Sequence, residues 1–533
     1  MGAEIWRRGI LGAGVAALLV AAVLLRATEL ADVPGMNGDE ARIGCQVLSL
    51  RSGVPTGLRT SSGLVPNFLY MGPLYLLHAL SPEPRFWKLR IIALASGLVT
   101  LGLTYPLVAR IWDRRTALLA TLLVAASPPL IIYSRLGYDP SQIPLVGLAT
   151  IYFALRGEWW GALAVLSMGL AVHPTNVFLA PAVAAVWLCA PPGAEAARRG
   201  PPAAPLGWRL GLLGGATLLL GAALWAVVET SPVGRFIPGG LDGVRHRLTD
   251  PSQMATFVFA VADLLSGTTV YAHVAGRPSL EFIVAARLVA GALAVGLLAV
   301  GIRRRDRQGL ALAVGLGIGL VALYLVGGTA ALSPGWERYG LFSVVPMLLL
   351  AARFLRALGN TSWAWTGQLI GTLSIGASLL LGCHHFYHAT LHATGSDAFL
   401  LAPLSRSFRT GPIDPKQAAF ERITAEVPGD AEIAILAEDW WTYFPIRYLA
   451  YGRPLTHVLF TEEAGDFRPQ GRRLFAVGFA EGPSDRLLGT AWGSGWMADF
   501  FDYQGRPVVR LWELTGREAV LPELARVCRR PGT

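Results

Sequence analysis

The apolar residues of this chain fall into long uninterrupted runs, and the polar residues collect between them. Most of these runs hold roughly 17 to 22 residues, which is the helix length that crosses about 30 Å of hydrocarbon. The amphipathic helices of soluble proteins would interrupt such runs with charged residues. The pattern therefore predicts a polytopic α-helical membrane protein with about eleven transmembrane helices.

The candidate spans divide into two groups. The first group is 9–25, 89–109, 116–133, 141–155, 159–172, 176–189 and 207–228, and the second is 282–302, 309–330, 340–355 and 363–383. Residues 9–25 are interpreted as a retained anchor and not as a cleaved signal sequence. His173 and Pro174 mark a loop or a kink, and one miscounted span between residues 141 and 189 would reverse the sidedness of everything downstream.

Arginine residues lie in alternate loops, which orients the bundle with its N-terminus inside, because basic residues collect on the cytoplasmic side. The arginines of the predicted inner loops are Arg110, Arg114, Arg115, Arg198, Arg199, Arg303, Arg304, Arg305, Arg307, Arg353 and Arg356. The outside then receives loops 26–88 and 229–280, a short loop at 135–140, and everything after residue 383. We expect a location in the cell inner (plasma) membrane.

The pattern changes at about residue 395, where the long apolar runs stop. Short strand-like runs at 431–437, 456–460 and 474–479 alternate with helix-like runs at 440–451 and 484–490. A closing hairpin is expected within 500–513, turned at Gln504 and Gly505. We predict a transmembrane domain over 1–385 and a soluble extracytoplasmic α/β domain over 395–533.

The composition agrees with a membrane protein, and together with the absence of several motifs it argues against several classes of function. The 533 residues are 53% hydrophobic and 15% charged, and the net charge of +10 is explained by topology signals, so no nucleic-acid partner is predicted. No Walker loop, GxSxG, HExxH or His/Cys cluster of metal spacing appears in the sequence. A disulfide between Cys45 and Cys528, which both fall outside, is left open.

Candidate chemistry lies at the outer ends of the spans. The first outer loop opens with the adjacent carboxylates Asp39 and Glu40, a pattern that is also common in solvated loops and at helix N-termini. The same loop continues into the semi-apolar stretch 67–75, which is suited to the membrane interface.

Several segments follow one another in an order that resembles a known family. They are GDEARIG, MGPLYLLHAL, KLRIIALASGL, SPPLIIYSRLGYDPS, HPTNVFLAPA and WERYGLFSVVPMLLL, all within residues 1–385. Together they resemble the integral-membrane glycosyltransferases of the C-type fold. The resemblance is to the group of protein O-mannosyltransferases and lipid A aminoarabinose transferases, glycosyltransferase family 39.

The resemblance implies a reaction and its partners. A hexosyl or pentosyl group would pass, with inversion, from a polyprenyl-phosphate donor to a lipid, glycan or protein acceptor. Membrane lipids would be further partners. Asp39 would be the general base, and Glu40 would orient the acceptor or help to bind a metal. The two residues do not form Asp-x-Asp, so no cofactor is predicted with certainty and a divalent metal is not favoured.

The donor phosphate would need cations on the same face. Arg338, Arg135 and His173 are the candidates, with Asp139 and Glu337 as a further acidic site. Each has an alternative interpretation. Arg338 could pair with Glu337 or be an interface arginine, and Arg135 could in the same way pair with Asp139 or be an interface arginine. His173 could be a structural hydrogen-bonding residue.

Two departures from the family pattern concern the acceptor more than the reaction. Arg42, Ile43 and Gly44 follow the acidic pair where the family usually has an aromatic residue, and Gly72-Pro73 replaces paired prolines. Two rival functions remain: a transporter or flippase for lipid-linked sugars, and a membrane receptor whose outer domain binds a ligand.

Overall fold

The computed structural model describes residues 2–54, 67–189, 240–358, 362–393, 407–468, 471–492 and 497–528. In these ranges the chain is helical up to Ala393 and forms a small sheet near its C-terminal end. The helices of the first part are Gly2–Ala27, Gly38–Arg51, Phe68–Leu80, Phe86–Ile111, Arg114–Ala126, Pro128–Tyr133, Ile143–Arg156, Trp159–Val172, Ala180–Cys189, Gly240–Thr249, Pro251–Ser266, Thr268–Val274, Leu280–Arg303, Arg307–Gly327, Leu341–Ala357, Ser362–Cys383 and Thr390–Ala393. The predicted fold class is confirmed.

Six of the described helices are long and apolar enough to cross a membrane. A seventh span results if Pro251–Ser266 and Thr268–Val274, which are bent by 75° at Gly267, count as one. Three shorter apolar helices accompany them: Phe68–Leu80, Trp159–Val172 and Pro174–Cys189. The predicted span at 207–228 lies outside the described residues, so the total of eleven stays a prediction.

Proline residues break one predicted span and mark the boundary between two others. The run 116–133 is interrupted at Ser127, whose extended backbone precedes Pro128 and Pro129. His173 is likewise extended before Pro174, and a 3-10 turn, Pro174–Leu179, follows it. Proline disfavours helical geometry in the residue before it, which accounts for both breaks. The sequence predicts a loop or a kink at His173, and the structure has a loop there.

Both predicted outer loops contain helices. The first holds the acidic helix (Gly38–Arg51) and the interface helix (Phe68–Leu80), whose Phe68, Leu76 and Leu80 are exposed. The second, predicted as a long loop, is helical over its described part, because Asp250 caps a semi-apolar segment that runs to Ser266. Gly267, with φ +85°, then turns the chain in a conformation that glycine tolerates best.

The arginine-rich loops come together at one end of the bundle. Arg353 binds Asp306, with Nη2 donating to Oδ1 over 2.8 Å, and its guanidinium lies 4.6 Å from the ring of Trp112. Arg356 approaches Asp113 at 3.7 Å, and Arg115 lies over Trp365. Three loops that the charge pattern assigns to one side therefore share one end of the molecule.

The tail contains a five-stranded sheet with the order β2-β1-β3-β5-β4. Its strands are β1 (Ile433–Ala437), β2 (Thr456–Phe460), β3 (Arg473–Phe479), β4 (Ala498–Phe501) and β5 (Pro507–Glu513). Parallel pairing joins β1 to β2 and β3, whereas β5 is antiparallel to β3 and β4. The α/β interpretation and the closing hairpin are confirmed. The tail helices are Pro415–Glu426, Trp440–Ala450, Pro483–Trp492 and Leu521–Cys528.

The tail packs directly onto the membrane part. Alternate residues of a strand face opposite sides of the sheet, and Ile433 and Ile435 join the large apolar core of the helical part. Ala434 and Leu436 face a smaller separate core. Between the sheet and the acidic helix lies the tail helix (Trp440–Ala450), whose Tyr448 hydroxyl hydrogen-bonds the backbone of Arg85. Packing thus brings the tail to the first outer loop.

The four cysteines are free thiols. Cys45 is buried in the acidic helix, with its sulfur 3.6 Å from the carbonyl oxygen of Phe444. Cys528 lies beside the hydroxyl of Ser484, at 3.2 Å. The Cys45–Cys528 disulfide, which the sequence leaves open, is therefore not formed in this structure.

Candidate active site

The acidic helix begins with a capping box that fixes the two carboxylates. Asn37 is the N-cap, and its Oδ1 accepts from the backbone N–H of Glu40 at 3.0 Å, while the Glu40 side chain accepts from Asn37 N. This reciprocal arrangement is the usual outcome of an Asn-x-x-Glu sequence at a helix start. Asp39 therefore lies in the first turn, where the helix dipole favours negative charge.

Glu40 is fully buried and fully engaged. Its Oε2 accepts from Arg90 Nε at 2.8 Å and from the backbone N–H of Gly137 at 2.7 Å, and its Oε1 accepts from Arg90 Nη2 at 3.0 Å. Both side chains of this ion pair are completely excluded from solvent. Glu40 consequently joins the acidic helix, the Phe86–Ile111 helix and the 134–139 turn.

Asp39 points the other way and faces two distant parts of the chain. Its Oδ1 accepts from Trp440 Nε1 at 3.2 Å, and its Oδ2 accepts from Arg338 Nη1 at 3.3 Å. The side chains of Asp39 and Arg338 keep 14% and 18% of their exposure, so water or a substrate group still reaches them. The predicted base and the first of the predicted phosphate ligands are therefore in contact.

Aromatic rings surround the guanidinium of Arg338. Its central carbon lies 5.6 Å from the ring of Tyr339, 5.8 Å from that of Trp336 and 6.0 Å from that of Tyr138. Aromatic faces attract cations and hold a planar guanidinium in a defined orientation. In this structure Arg338 is thereby oriented toward Asp39 and does not take the place of an interface arginine.

His173 reaches the same place through Tyr339, since the two ring centres lie 5.6 Å apart. Its Nδ1 contacts the hydroxyl of Thr175 at 2.8 Å. Burial and the nearby positive charge of Arg338 lower the pKa of His173 to about 3. The imidazole is therefore neutral at physiological pH and offers hydrogen bonding, not charge.

Glu337 turns away from Asp39 into the bundle. Its Oε1 accepts from the Tyr133 hydroxyl at 2.8 Å and lies 2.8 Å from Nδ1 of His273. The alternative of a Glu337–Arg338 ion pair does not describe this structure, because Arg338 pairs with Asp39 instead. His273 belongs to the short helix Thr268–Val274, which the second outer loop supplies.

Arg135 and Asp139 hold the surrounding chain. Arg135 donates to the carbonyl oxygens of Leu25, Thr28, Glu29 and Val33, and to the Tyr387 hydroxyl. Asp139 accepts from Asn67 Nδ2 at 3.0 Å. In this geometry Arg135 is a backbone clamp on the segment before the acidic helix, and the alternative of an Arg135–Asp139 ion pair does not describe its contacts.

At this site, three buried polar atoms have no hydrogen-bond partner among the described residues: Nε of Arg338, Nε2 of His173 and Oε2 of Glu337. Buried polar groups normally find partners, so such atoms mark a place that water or a ligand fills. All three belong to residues that the sequence singles out, and two belong to the predicted phosphate set.

Sequence reasoning missed several residues of this site. Arg90 lies within the quoted segment KLRIIALASGL but was not assigned a role, although a charge near the start of an apolar span is a usable signal. Trp440 lies in the tail, and no sequence signal ties it to Asp39. His273 and Tyr133, which hold Glu337, were also missed.

Known proteins support the resemblance. Residues 73–213 match the family described as dolichyl-phosphate-mannose-protein mannosyltransferase. The predicted resemblance to the C-type-fold glycosyltransferases is confirmed. The matched range contains Arg90, Arg135, Asp139 and His173, and it contains neither Asp39 nor Arg338. This likeness supports the transfer of a lipid-linked sugar as the general activity, while donor and acceptor are matters for proposal.

Solved glycosyltransferase structures are similar to this chain at low identity. ArnT from Cupriavidus metallidurans bound to undecaprenyl phosphate is 16% identical, with a TM-score of 0.49, covering 94% of this chain and 98% of that one. AglB from Archaeoglobus fulgidus, an archaeal oligosaccharyltransferase in complex with an inhibitory peptide and a dolichol-phosphate, is 13% identical, with a TM-score of 0.46, covering 89% and 70%. Neither likeness assigns a role to a residue here. No curated protein matches the chain.

Proposed function

We propose that this protein transfers a sugar from a polyprenyl-phosphate donor to an acceptor hydroxyl on a lipid, glycan or protein. The observation that carries the proposal is the contact of Asp39 Oδ2 with Arg338 Nη1 at 3.3 Å. This contact brings together the proposed base and the proposed phosphate ligand, which are 299 residues apart in the sequence. Both side chains remain partly accessible to solvent. An inverting transfer needs both groups around one bound substrate.

Asp39 acts as the general base in this proposal. The acceptor oxygen forms a bond to the anomeric carbon, its proton passes to Asp39, and the bond from that carbon to the phosphate oxygen breaks. The bonding electron pair leaves with the phosphate. An alcohol hydroxyl is too weak an acid to ionise unaided near neutral pH, so a base at hydrogen-bond distance is required.

Arg338 receives the charge that develops on the departing phosphate. A guanidinium can donate two parallel hydrogen bonds to a phosphate, and Nε of Arg338 has no partner in the described residues. Donor binding would draw Arg338 from Asp39 toward the phosphate and leave Oδ2 of Asp39 to accept the proton. His173, whose Nε2 has no hydrogen-bond partner within the described ranges, adds a neutral hydrogen-bonding group.

The other candidates take positioning roles. Glu40 and Arg90 fix the start of the acidic helix, and Arg135 clamps the segment before it, with all of its nitrogens near backbone or hydroxyl oxygens. Glu337 orients Tyr133 and His273 behind Arg338, and Asp139 orients Asn67. In this proposal Arg135 and Glu40 therefore position the site and do not touch substrate.

In this proposal the site lies on the outer face of the cytoplasmic membrane. The arginine-rich loops share one end of the bundle, and Asp39, His173 and Arg338 share another place, where the tail also packs. With basic residues inside, the acidic site and the tail are outside. A receptor would instead need its ligand site within residues 395–533, whereas Trp440 of the tail is directed at Asp39.

Transfer is tested by giving radiolabelled polyprenyl-phosphate sugars to membranes that contain the wild type, Asp39→Asn or Glu83→Gln. Glu83 is an exposed carboxylate of the same loop that forms a salt bridge with Arg85, and it serves as the matched control. We expect transfer by the wild type and by Glu83→Gln, and a loss of about 10²- to 10⁴-fold in Asp39→Asn. Undiminished transfer by Asp39→Asn would show that Asp39 is not the base. If the wild type transferred sugar from none of the donors, a transporter would be favoured.

A further inference from the structure

A second cluster of polar side chains lies where the first span ends. Glu29, His388 and His392 place their ligand atoms within 4.8 Å of one another. The sequence showed no cluster of metal spacing, because Glu29 and His392 are 363 residues apart. One signal was present: His384, His388 and His392 recur at every fourth position, which puts them on one helix face.

The fold holds each of the three residues in a defined way. Glu29 has a φ of +50°, unusual for a residue with a side chain, and its carbonyl oxygen accepts from Arg135 Nη2. His388 lies in a π-helical turn, His384–Ala389, that continues the last span. Such turns are rare and frequently mark functional sites. His392 follows, with its ring 4.1 Å from that of Tyr503 in the tail.

The separations suit a metal ion with small side-chain adjustments. Oε2 of Glu29 lies 3.1 Å from Nε2 of His392. Two ligands of a tetrahedral zinc ion, each about 2.0 to 2.1 Å from the metal, are separated by roughly 3.3 Å. The ring of His388 also hydrogen-bonds the backbone at Leu25, and a metal-binding histidine is normally oriented in this way through its other nitrogen.

A simple ion pair does not explain the whole cluster. It would account for His392 and Glu29, but Nε2 of His388 is buried without a hydrogen-bond partner among the described residues. The side chains of Glu29 and His392 retain 48% and 32% of their exposure, so an ion can enter from solvent and a fourth position stays open. Asp32 lies close enough to Glu29 to interact with it electrostatically, which adds negative charge beside the cluster.

We propose that Glu29, His388 and His392 bind a divalent transition-metal ion of the Zn²⁺ type. Two imidazoles and one carboxylate form a ligand set that zinc accepts, whereas Mg²⁺ prefers oxygen ligands alone. The ion would join the start of the first outer loop to the end of the last span and, through Tyr503, to the tail. The site is separate from Asp39 and does not depend on the proposed transfer reaction.

The test measures zinc binding by the full chain, purified without a histidine tag and stripped with a chelator. Equilibrium dialysis against Zn²⁺ should give about one ion per wild-type chain. Glu29→Gln and His392→Gln should bind at least tenfold more weakly, and His385→Gln should bind like the wild type. His385 is the matched control, because it is an exposed neighbour outside the cluster.

Thermal unfolding separates loss of ligands from loss of fold. Zinc should raise the unfolding temperature of the wild type and of His385→Gln, and the same zinc concentration should raise that of Glu29→Gln and His392→Gln much less. Wild-type affinity in His392→Gln and Glu29→Gln, or zinc that an equal concentration of Mg²⁺ displaces from the wild type, would overturn the proposal. Glu29→Gln keeps the test decisive if a histidine variant does not fold, since its side chain is half-exposed.

Discussion

Asp39 and Glu40 are adjacent carboxylates with opposite surroundings. Glu40 is enclosed by Arg90 and the Gly137 backbone, while Asp39 remains partly accessible between Trp440 and Arg338. Successive residues at a helix start point about 100° apart, so one can enter the core while the other faces a site. The difference in environment is the reason for giving them different roles.

Glu40→Gln should destabilise the protein strongly. It leaves the buried guanidinium of Arg90 without its charged partner, a change that typically costs about 3 to 5 kcal/mol. The expected result is a clear fall in unfolding temperature, measured in detergent, with no comparable fall for the exposed control Glu83→Gln. Equal stability of the two variants would contradict the anchoring role of Glu40.

His173 should make stability depend on pH. Its pKa is lowered to about 3 in the folded protein, so the unfolded chain binds a proton that the folded chain does not. Folded stability is therefore lost as the pH falls below about 6.5, at up to roughly 1.4 kcal/mol per pH unit. His173→Gln should lack this component, which unfolding measurements between pH 7 and 4 would reveal as a shallower decline. Parallel declines would argue against a buried neutral histidine.

At the scale of elements, the site depends on close approach of the acidic helix, the Phe86–Ile111 helix and the 134–139 turn. A Cβ at Gly137 would lie 2.6 Å from the Leu89 carbonyl oxygen and 3.0 Å from Oε2 of Glu40. Backbone cannot yield there as a flexible side chain would. The glycine is thus required by packing and not by an unusual φ.

Gly137→Ala should therefore displace Glu40 and loosen the acidic helix, with a cost of about 1 to 3 kcal/mol and a loss of transfer activity. Gly72→Ala is the control, since an added Cβ in the interface helix meets nothing within 4 Å. That control should be neutral or slightly stabilising, because alanine is the better helix former. An unaffected Gly137→Ala variant would show that the three elements are packed less closely than described.

The sequence predicted elements better than contacts. Apolar runs and proline positions predict the helices, and strand-like alternation predicts the strands of the sheet, because these patterns are local. Asp39 and Arg338 were candidates because they lie in GDEARIG and WERYGLFSVVPMLLL, two of the segments that resemble the family. Trp440 could not be found, since its contact with Asp39 spans 401 residues and arises only from packing of the tail. The same applies to Glu29 and its two histidines.

For the whole molecule, the account needs the tail and the acidic site on the outer face. In a background with Cys189→Ser and Cys528→Ser, Asp430→Cys in the tail and Arg114→Cys in an inner loop both place a thiol at an exposed position. A membrane-impermeant thiol reagent given to intact cells should label the first and not the second. The reverse labelling would invert the topology, and with it the face on which donor and acceptor meet.

The most direct measurement of the central claim is the kinetics of purified Asp39→Asn with a polyprenyl-phosphate sugar that the wild type uses. Because asparagine preserves shape but cannot take a proton, we predict that kcat falls by about 10²- to 10⁴-fold while the donor concentration giving half-maximal rate changes little. A kcat close to that of the wild type would contradict the assignment of Asp39 as the base.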